Sequence, residues 1–303
     1  MRSRTLTNIL AFALVTLVTA PALAAELRTG LNAGREARYA FMHELDISQQ
    51  AGDLEAARTN IKYRVELSMN VTSVNDDGSA SVAMRFRKFQ ARIEEPSGPT
   101  SIAFDLSREQ DDEATGVAAM GPVLAKARLV VILGPDGRVR GIGGADPVLA
   151  AMNEITDAPP ALFTFLRPDR LGEQINLLFC AEGGLGEQAE GASWNSTRTI
   201  PLGAAGAMDL QSTTTLTGAT DTTAELRGTT TVVIRTPDQP NAAAPSVSLG
   251  EATGTSTTMW DLRTGGLTKR TDEQTIESTW SLGDVSLKQR QESKNEIRLI
   301  EAD

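Results

Sequence analysis

Between Ile61 and Thr72 every second residue is apolar: Ile61, Tyr63, Val65, Leu67, Met69 and Val71 alternate with Lys62, Arg64, Glu66, Ser68, Asn70 and Thr72. A period of two belongs to a strand, and one apolar face opposite one charged face predicts an antiparallel strand that is buried on one side and wet on the other. Asn75-Asp76-Asp77-Gly78 follows, polar turn residues ending in a glycine free to take positive φ, and a second alternating run begins. In that run Val82, Met84 and Phe86 share one parity while Phe89, Ala91 and Ile93 share the other. The slip near Arg87-Lys88 predicts a β-bulge, and a bulge bends and twists the sheet that contains it.

The same pattern extends in both directions. Upstream, Ala37, Tyr39, Phe41, His43, Leu45 and Ile47 fall on one parity and mark a strand before the hairpin. Downstream come Ile102 to Leu106, an acidic loop through Asp111-Asp112-Glu113, a short apolar stretch from Val117 to Leu124, and a hairpin from Leu129 to Ile142 about Gly134-Pro135-Asp136-Gly137. Between Ala145 and Cys180 the period lengthens. Asp146-Pro147 predicts a helix start, with Asp146 as the cap, and Val148, Leu149, Met152 and Ile155 recur at helical spacing. A second helical pattern runs from Ala161 to Leu166 and is interrupted by Pro168. A third passes through Leu171, Ile175, Leu178 and Phe179, before the loop Gly183-Gly184-Leu185-Gly186. From Trp194 the chain is rich in Thr and strands resume: Met208 to Leu216, Thr222 to Arg235, Val247 to Leu262, Leu267 to Leu282 and Val285 to Leu299. Pro237 to Pro245 reads as a polar loop.

Residues 1–24 have the layout of a secretory leader: Arg2 and Arg4, an apolar run from Ile9 to Val18, and the small-x-small site Ala22-Leu23-Ala24. Cleavage between Ala24 and Ala25 is expected, with a soluble exported product in the periplasm or outside the cell. No Cys stands at the cleavage site to carry a lipid, and no second apolar run has the length of a stable membrane span.

Charge and composition narrow the function. The 303 residues carry 29 Lys and Arg against 39 Asp and Glu, a net charge of −10, and losing the leader removes two more cations. Such a chain lacks the basic footprint that nucleic acid or an anionic membrane requires. The cluster Arg85, Arg87, Lys88 and Arg92 reads as the solvated face of a strand. Cys180 is the single cysteine and His43 the single histidine. No disulfide can form within the chain, no zinc site can be built from several His or Cys, and a Ser-His-Asp triad would have to use His43 without a Gly-x-Ser-x-Gly elbow. Asp76-Asp77-Gly78 and Asp111-Asp112-Glu113 lack the spacing of a calcium loop. Aromatic residues make up 4% of the chain, too few for the stacking platforms of a polysaccharide site. No catalytic motif, cofactor or metal site is expected, and the chain reads as non-enzymatic.

Gly191-Ala192-Ser193-Trp194, then a Thr-rich strand and Trp260-Asp261-Leu262-Arg263-Thr264-Gly265-Gly266-Leu267, together with Asp76-Asp77-Gly78-Ser79-Ala80, resemble a family of uncharacterised exported bacterial proteins that carry a domain of unknown function. The likeness covers about residues 35–300 and rests on short turns and one Trp, so it transfers no catalytic residue. It implies an architecture similar to the open half-barrel of bacterial lipoprotein carriers, a curved antiparallel sheet with helices over its mouth.

The expected fold is therefore mainly β, an α+β chain whose large curved sheet or half-barrel carries a short helical insert. After the leader, one β-rich domain spans 25–303: a meander over 35–143, the insert over 145–182 and strands over 193–300. A lipid or other apolar molecule is the expected partner, held between Val65, Leu67, Met69, Val82, Met84 and Phe86 on the sheet and a lid of Leu149, Met152, Leu162 and Phe163. His43, on the apolar parity of its strand, would be a polar handle in that cavity. The alternative is a structural or protein-interaction module of the cell envelope, with a filled core and an envelope protein as its partner. A hydrolase is the least favoured reading.

Overall fold

The computed structural model describes residues 24–302 apart from 112, 156–159, 180–185, 203–204, 236–245 and 284. Strand dominates it. In chain order the strands are β1 (Ala24–Leu27), β2 (Glu36–Ala51), β3 (Ala57–Val74), β4 (Ala80–Glu95), β5 (Gly98–Asp105), β6 (Leu129–Leu133), β7 (Val139–Gly143), β8 (Gly186–Ala189), β9 (Ser193–Pro201), β10 (Ala207–Ala219), β11 (Thr223–Arg235), β12 (Ser246–Asp261), β13 (Gly266–Leu282) and β14 (Val285–Ala302). The α-helices are α1 (Met120–Lys126), α2 (Asp146–Glu154) and α3 (Pro168–Phe179), and a 3-10 helix spans Pro160–Leu166.

The alternating segment becomes β3, and its partner β4 crosses it in antiparallel register from Asn60 opposite Glu94 to Val74 opposite Ala80. The bulge falls where the parity slips: Glu66 faces Lys88 and Leu67 faces Phe86, which leaves Arg87 as the extra residue. Twelve strands form one antiparallel sheet in the order β7-β6-β4-β3-β2-β14-β13-β12-β11-β10-β9, with β5 also on β4. It is not closed into a barrel. β5 and β6 divide one edge of β4, β6 taking Ala80 to Met84 and β5 taking Lys88 to Glu95, so the N-terminal third is not a simple meander. β14, the last strand, lies between β2 and β13 and joins the two halves of the chain. A second, two-stranded sheet pairs β1 with β8. Neither β1, β8, β9 nor α1 was marked in advance by a pattern long enough to identify it.

The insert departs from expectation in its details. Asp146 is the first residue of α2, Ala145 occupies the cap position, and no side-chain hydrogen bond caps the helix. Pro168 ends the 3-10 segment by starting α3, since its fixed φ suits a first helical turn and its missing N–H costs nothing there. Cys180, Gly183 to Leu185 and Pro237 to Pro245 lie outside the described residues.

One buried apolar cluster runs from β1 across β2, β3, β4 and β6 into the helices and on to Trp260 of β12. Tyr39 anchors it to β13 through its hydroxyl, which donates to the Leu267 carbonyl at 3.1 Å, and burial pushes the Tyr39 pKa up to about 12. The opposite, convex face is wet and laced with ion pairs such as Lys62 with Glu44 and Lys294 with Glu273. Arg85, Arg87 and Arg92 are exposed, as a solvated face requires. Glu66 is the buried member of that surface: burial pushes its carboxyl up, but hydrogen bonds and charge from Arg38 and Arg64 together outweigh it and hold the pKa below the usual range.

Candidate functional site

The residues expected to line a cavity separate into two groups. Val65, Leu67 and Met69 of β3 and Val82, Met84 and Phe86 of β4 share the concave face and are buried. Leu162 and Phe163 of the 3-10 helix are buried in the same cluster, where Phe163 stacks on Phe89 with ring centroids 6.4 Å apart. Met152 of α2 is half-buried against the cluster and Leu149 is half-buried. Bulky side chains from both layers meet here, so the eight buried residues form packed core, with Met152 at its margin and Leu149 outside the cluster. His43 is the candidate that lines the open space under the helices.

That space lies farther along the sheet. A cavity of about 350 Å³ is bounded by β2, β14, β13, β10 and β9 on one side and by the 3-10 helix and α3 on the other. Residues paired across antiparallel strands share a face, so the register states what forms its floor. One row runs His43, Asn295, Asp272, Ser256, Gly228, Thr214, and the next runs Leu45, Ser293, Gln274, Gly254, Thr230, Ser212. The large apolar side chains of β3 and β4 have given way to Ser, Thr, Gly, Asn and Gln. α3 stands over these rows, and Gln274 and Asn295 share the open space beneath it with Glu173 and Gln174. Gly228 lets β11 and β12 pack closely beside this space: a Cβ there would stand 2.3 Å from Ser256 Oγ.

Apolar groups gather at the two ends of the cavity. Phe41 meets Phe165 edge-on at 5.7 Å beneath the 3-10 helix, while Ile276, Met208 and Leu210 line the far side. A second trough of about 460 Å³ adjoins it and shares Glu173, Gln174, Arg198, Leu210, Gln274 and Asn295 with it. Its other walls are mostly polar, among them Arg138, Asn176, Asn195, Ser212, Thr230 and Arg270. The result is one space with an apolar compartment under the helices and a polar compartment over β9 to β13.

α3 supplies the roof by ordinary amphipathic logic. Leu171, Ile175, Leu178 and Phe179 are buried at helical spacing, which turns Arg170, Glu173 and Gln174 toward the cavity. Glu173 accepts from Arg170 of its own helix at 3.3 Å and pairs with Arg198 of β9 at 2.7 Å. This carboxylate therefore fastens the roof to the edge strand. On the floor, the buried Arg270 donates to both oxygens of Asp272 and to Thr258 Oγ1. His43 Nδ1 bonds Asn295 Oδ1 at 2.5 Å, and its ring stacks on Tyr63 at a centroid distance of 5.8 Å. Burial lowers the His43 pKa below 6.5 and the Arg170 charge lowers it further, against an upward pull from Asn295. The imidazole is neutral at pH 7.

The site thus offers apolar contact at its ends and paired hydrogen-bonding groups between them. Among the described residues, no group of three or more His, Cys, Asp or Glu stands close enough to hold a metal ion. Glu173, Arg198, Asn295, Gln274 and Phe165 had no sequence signal of their own. The change of inward parity from large apolar to small polar residues was visible in the C-terminal strands; which helix would cover them was not.

No family model matches the chain, and no curated protein matches it. Among solved structures, it is similar to lipovitellin, in a structure described as showing lipid–protein interactions, with a TM-score of 0.50 and 11% identity over 90% of this chain. The chain spans 26% of that lipovitellin chain. An outer membrane channel from Pseudomonas putida F1 matches with a TM-score of 0.28 and 10% identity, over 90% of this chain and 97% of the channel. OccK7 (OpdD) of Pseudomonas aeruginosa matches at 0.23 and 8%, over 88% and 100%. The lipovitellin likeness is one of fold, and the two channel matches are too low to bear on this chain.

Proposed function

We propose that this chain is a non-enzymatic, exported binding protein that holds a lipid or similar amphipathic molecule between its curved sheet and α3. The observation that carries the reading is the open two-compartment space on a face whose other half is packed solid. A volume of about 350 Å³ sits at the lower end of the roughly 300–1,000 Å³ of small-molecule sites, enough for one slender apolar group. The adjoining polar trough is where a head group would lie, with Arg198, Asn295 and Gln274 within reach of both compartments. The fold likeness to lipovitellin, a protein whose structure is described by its lipid interactions, supports this reading without assigning a ligand.

Localisation outside the cytoplasm is part of the proposal and rests on the leader pattern of residues 1–24. Ala25 and Leu27 of β1 are buried, so a chain starting at Ala25 would have its first residues tied into the core. The rival reading, an envelope interaction module with a filled core, agrees with the packed face over β3 and β4 but leaves the open half unexplained.

The test is binding of the fluorescent fatty acid cis-parinaric acid to detergent-free protein, with native mass spectrometry of the same sample for co-purified lipid. Ile276→Arg puts a charge at the apolar far side and is expected to weaken binding at least tenfold, while Val82→Ala in the packed core leaves affinity within twofold at a lower Tm. Absence of both saturable binding and co-purified lipid would sink the proposal.

A further inference from the structure

One end of the sheet exposes large apolar side chains at the tips of two neighbouring hairpins. Leu54, in the turn between β2 and β3, is 69% exposed; Leu282 and Val285, flanking the turn between β13 and β14, are 54% and 67% exposed. The hairpins are joined side by side, since Leu287 pairs with Ala51 and the Gly52 N–H donates to the Ser286 carbonyl at 3.1 Å. Leaving such groups in water is unfavourable, and their clustering at one end calls for a partner.

The register links this end to the cavity. Ile276, Trp280 and Leu282 share the concave parity of β13, and Val285 and Leu287 share the same parity of β14. Val247 of β12 pairs with Trp280 on that face. From Ile276 at the cavity to Leu282 at the tip is six residues of strand, about 20 Å. The strip is interrupted where Ser278 pairs with Gln289 and on β14 at Gln291, the partner of Ile276, and Ser278 Oγ accepts from the Trp280 indole at 3.2 Å.

We infer that this end of the half-barrel docks on the surface of a phospholipid bilayer, with Leu54, Leu282 and Val285 entering the acyl boundary and Trp280 behind them at the level of the head groups. Three tip side chains cannot supply the roughly 800 Å² per partner of a stable protein interface, but they suit shallow insertion into lipid. An indole, with its apolar body and polar N–H, is the group that settles at a membrane–water boundary. The chain's acidity, deeper still once Arg2 and Arg4 leave with the leader, and the exposed Asp53 and Glu55 on either side of Leu54 repel an anionic surface, so the bilayer is a zwitterionic one and binding depends little on salt. The inference rests on the binding reading in one respect: the concave strip gives a cavity-bound lipid an apolar route to the membrane.

The experiment is flotation of the chain from Ala25 to Asp303, without the apolar leader, with phosphatidylcholine vesicles, beside a variant carrying Leu54→Ser, Leu282→Ser and Val285→Ser. These sites are exposed, and circular dichroism with a cooperative melt confirms that the variant is folded. The wild-type chain is expected to float at least tenfold more than the variant, equally at 50 and 500 mM salt, with a fluorescence blue shift on vesicle addition that Trp280→Phe abolishes. Leu54→Ser alone should lose part of the flotation. No flotation of the wild type, undiminished flotation of the triple variant, or a concentration-dependent dimer that the triple variant loses in place of flotation would each overturn the inference. Parinaric acid binding without vesicles is measured in parallel. Flotation that survives in a chain unable to bind parinaric acid supports docking while removing the cavity reading, and the two failures are thereby told apart.

Discussion

His43 shows how one side chain can be both ordinary and informative. Its parity places it toward the concave face, where it is half-buried, held by Asn295 and stacked on Tyr63. With its pKa lowered by burial, the folded chain gives up a proton that the unfolded chain, titrating near 6.5, still keeps. The unfolded state therefore binds more protons in the window just below pH 6.5, so the stability this group contributes is complete above that value and is lost as pH falls. Urea unfolding at pH 7.5 and pH 5 should show the wild type losing more stability than His43→Gln; equal losses would mean that His43 is not held neutral. Protonation also places a cation beside the apolar compartment. Parinaric acid binding should weaken over the same range in the wild type and stay flat in the variant, once the probe's own ionisation is matched between them.

At the scale of elements, α3 matters because it roofs a floor that its side chains do not fill. Its fastening to β9 is the ion pair of Glu173 and Arg198, both partly exposed at 37% and 44%. A pair so open to water contributes only about 0–1 kcal/mol to stability. Arg198→Gln is therefore expected to shift the Tm by no more than a few degrees. It should instead free the roof, raising the dissociation rate of parinaric acid in stopped-flow displacement by about threefold or more, with added salt producing the same effect in the wild type. An unchanged dissociation rate would show that α3 is held by its buried face alone. That face was legible in advance through Leu171, Ile175 and Leu178. The paired carboxylate was not, because Glu173 and Arg198 lie on separate elements and only the curl of the sheet brings them together.

For the molecule as a whole, the decisive contact is that between β14 and β2, the end and the beginning of the large sheet in sequence. It runs from Leu287 opposite Ala51 to Ala302 opposite Ala37. Closing so long a loop costs entropy before any contact is gained, which predicts slow folding in milliseconds to seconds or longer. A chain ending at Leu282 loses the strand that joins both halves and should show no cooperative unfolding. One ending at Leu299 removes the exposed Ile300 and only the last two paired positions, Glu301 with Arg38 and Ala302 with Ala37, and should melt within a few degrees of the full chain. Cooperative unfolding of the shorter chain would mean that the halves are separate folding units.

The long strands, the Arg87 bulge and the apolar helix faces could be read in the residue order, while β1, β8 and β9 could not, because alternation and helical spacing are local signals that need several residues to show. Asn75 to Gly78 and Gly134 to Gly137 close turns as expected, with Gly78 and Gly137 at φ of 81° and 74°. The cavity was not legible in the same way. Val65, Met84 and Phe163 look like a lining in sequence, yet they pack together, while the open space lies under α3 over Ser, Gly, Thr and Asn. Whether an inward residue meets a neighbour or a void depends on which layer stands opposite and at what distance. That is settled by the pairing of β2 with β14 and by the path of the helical insert, contacts between residues far apart in sequence that no local pattern encodes.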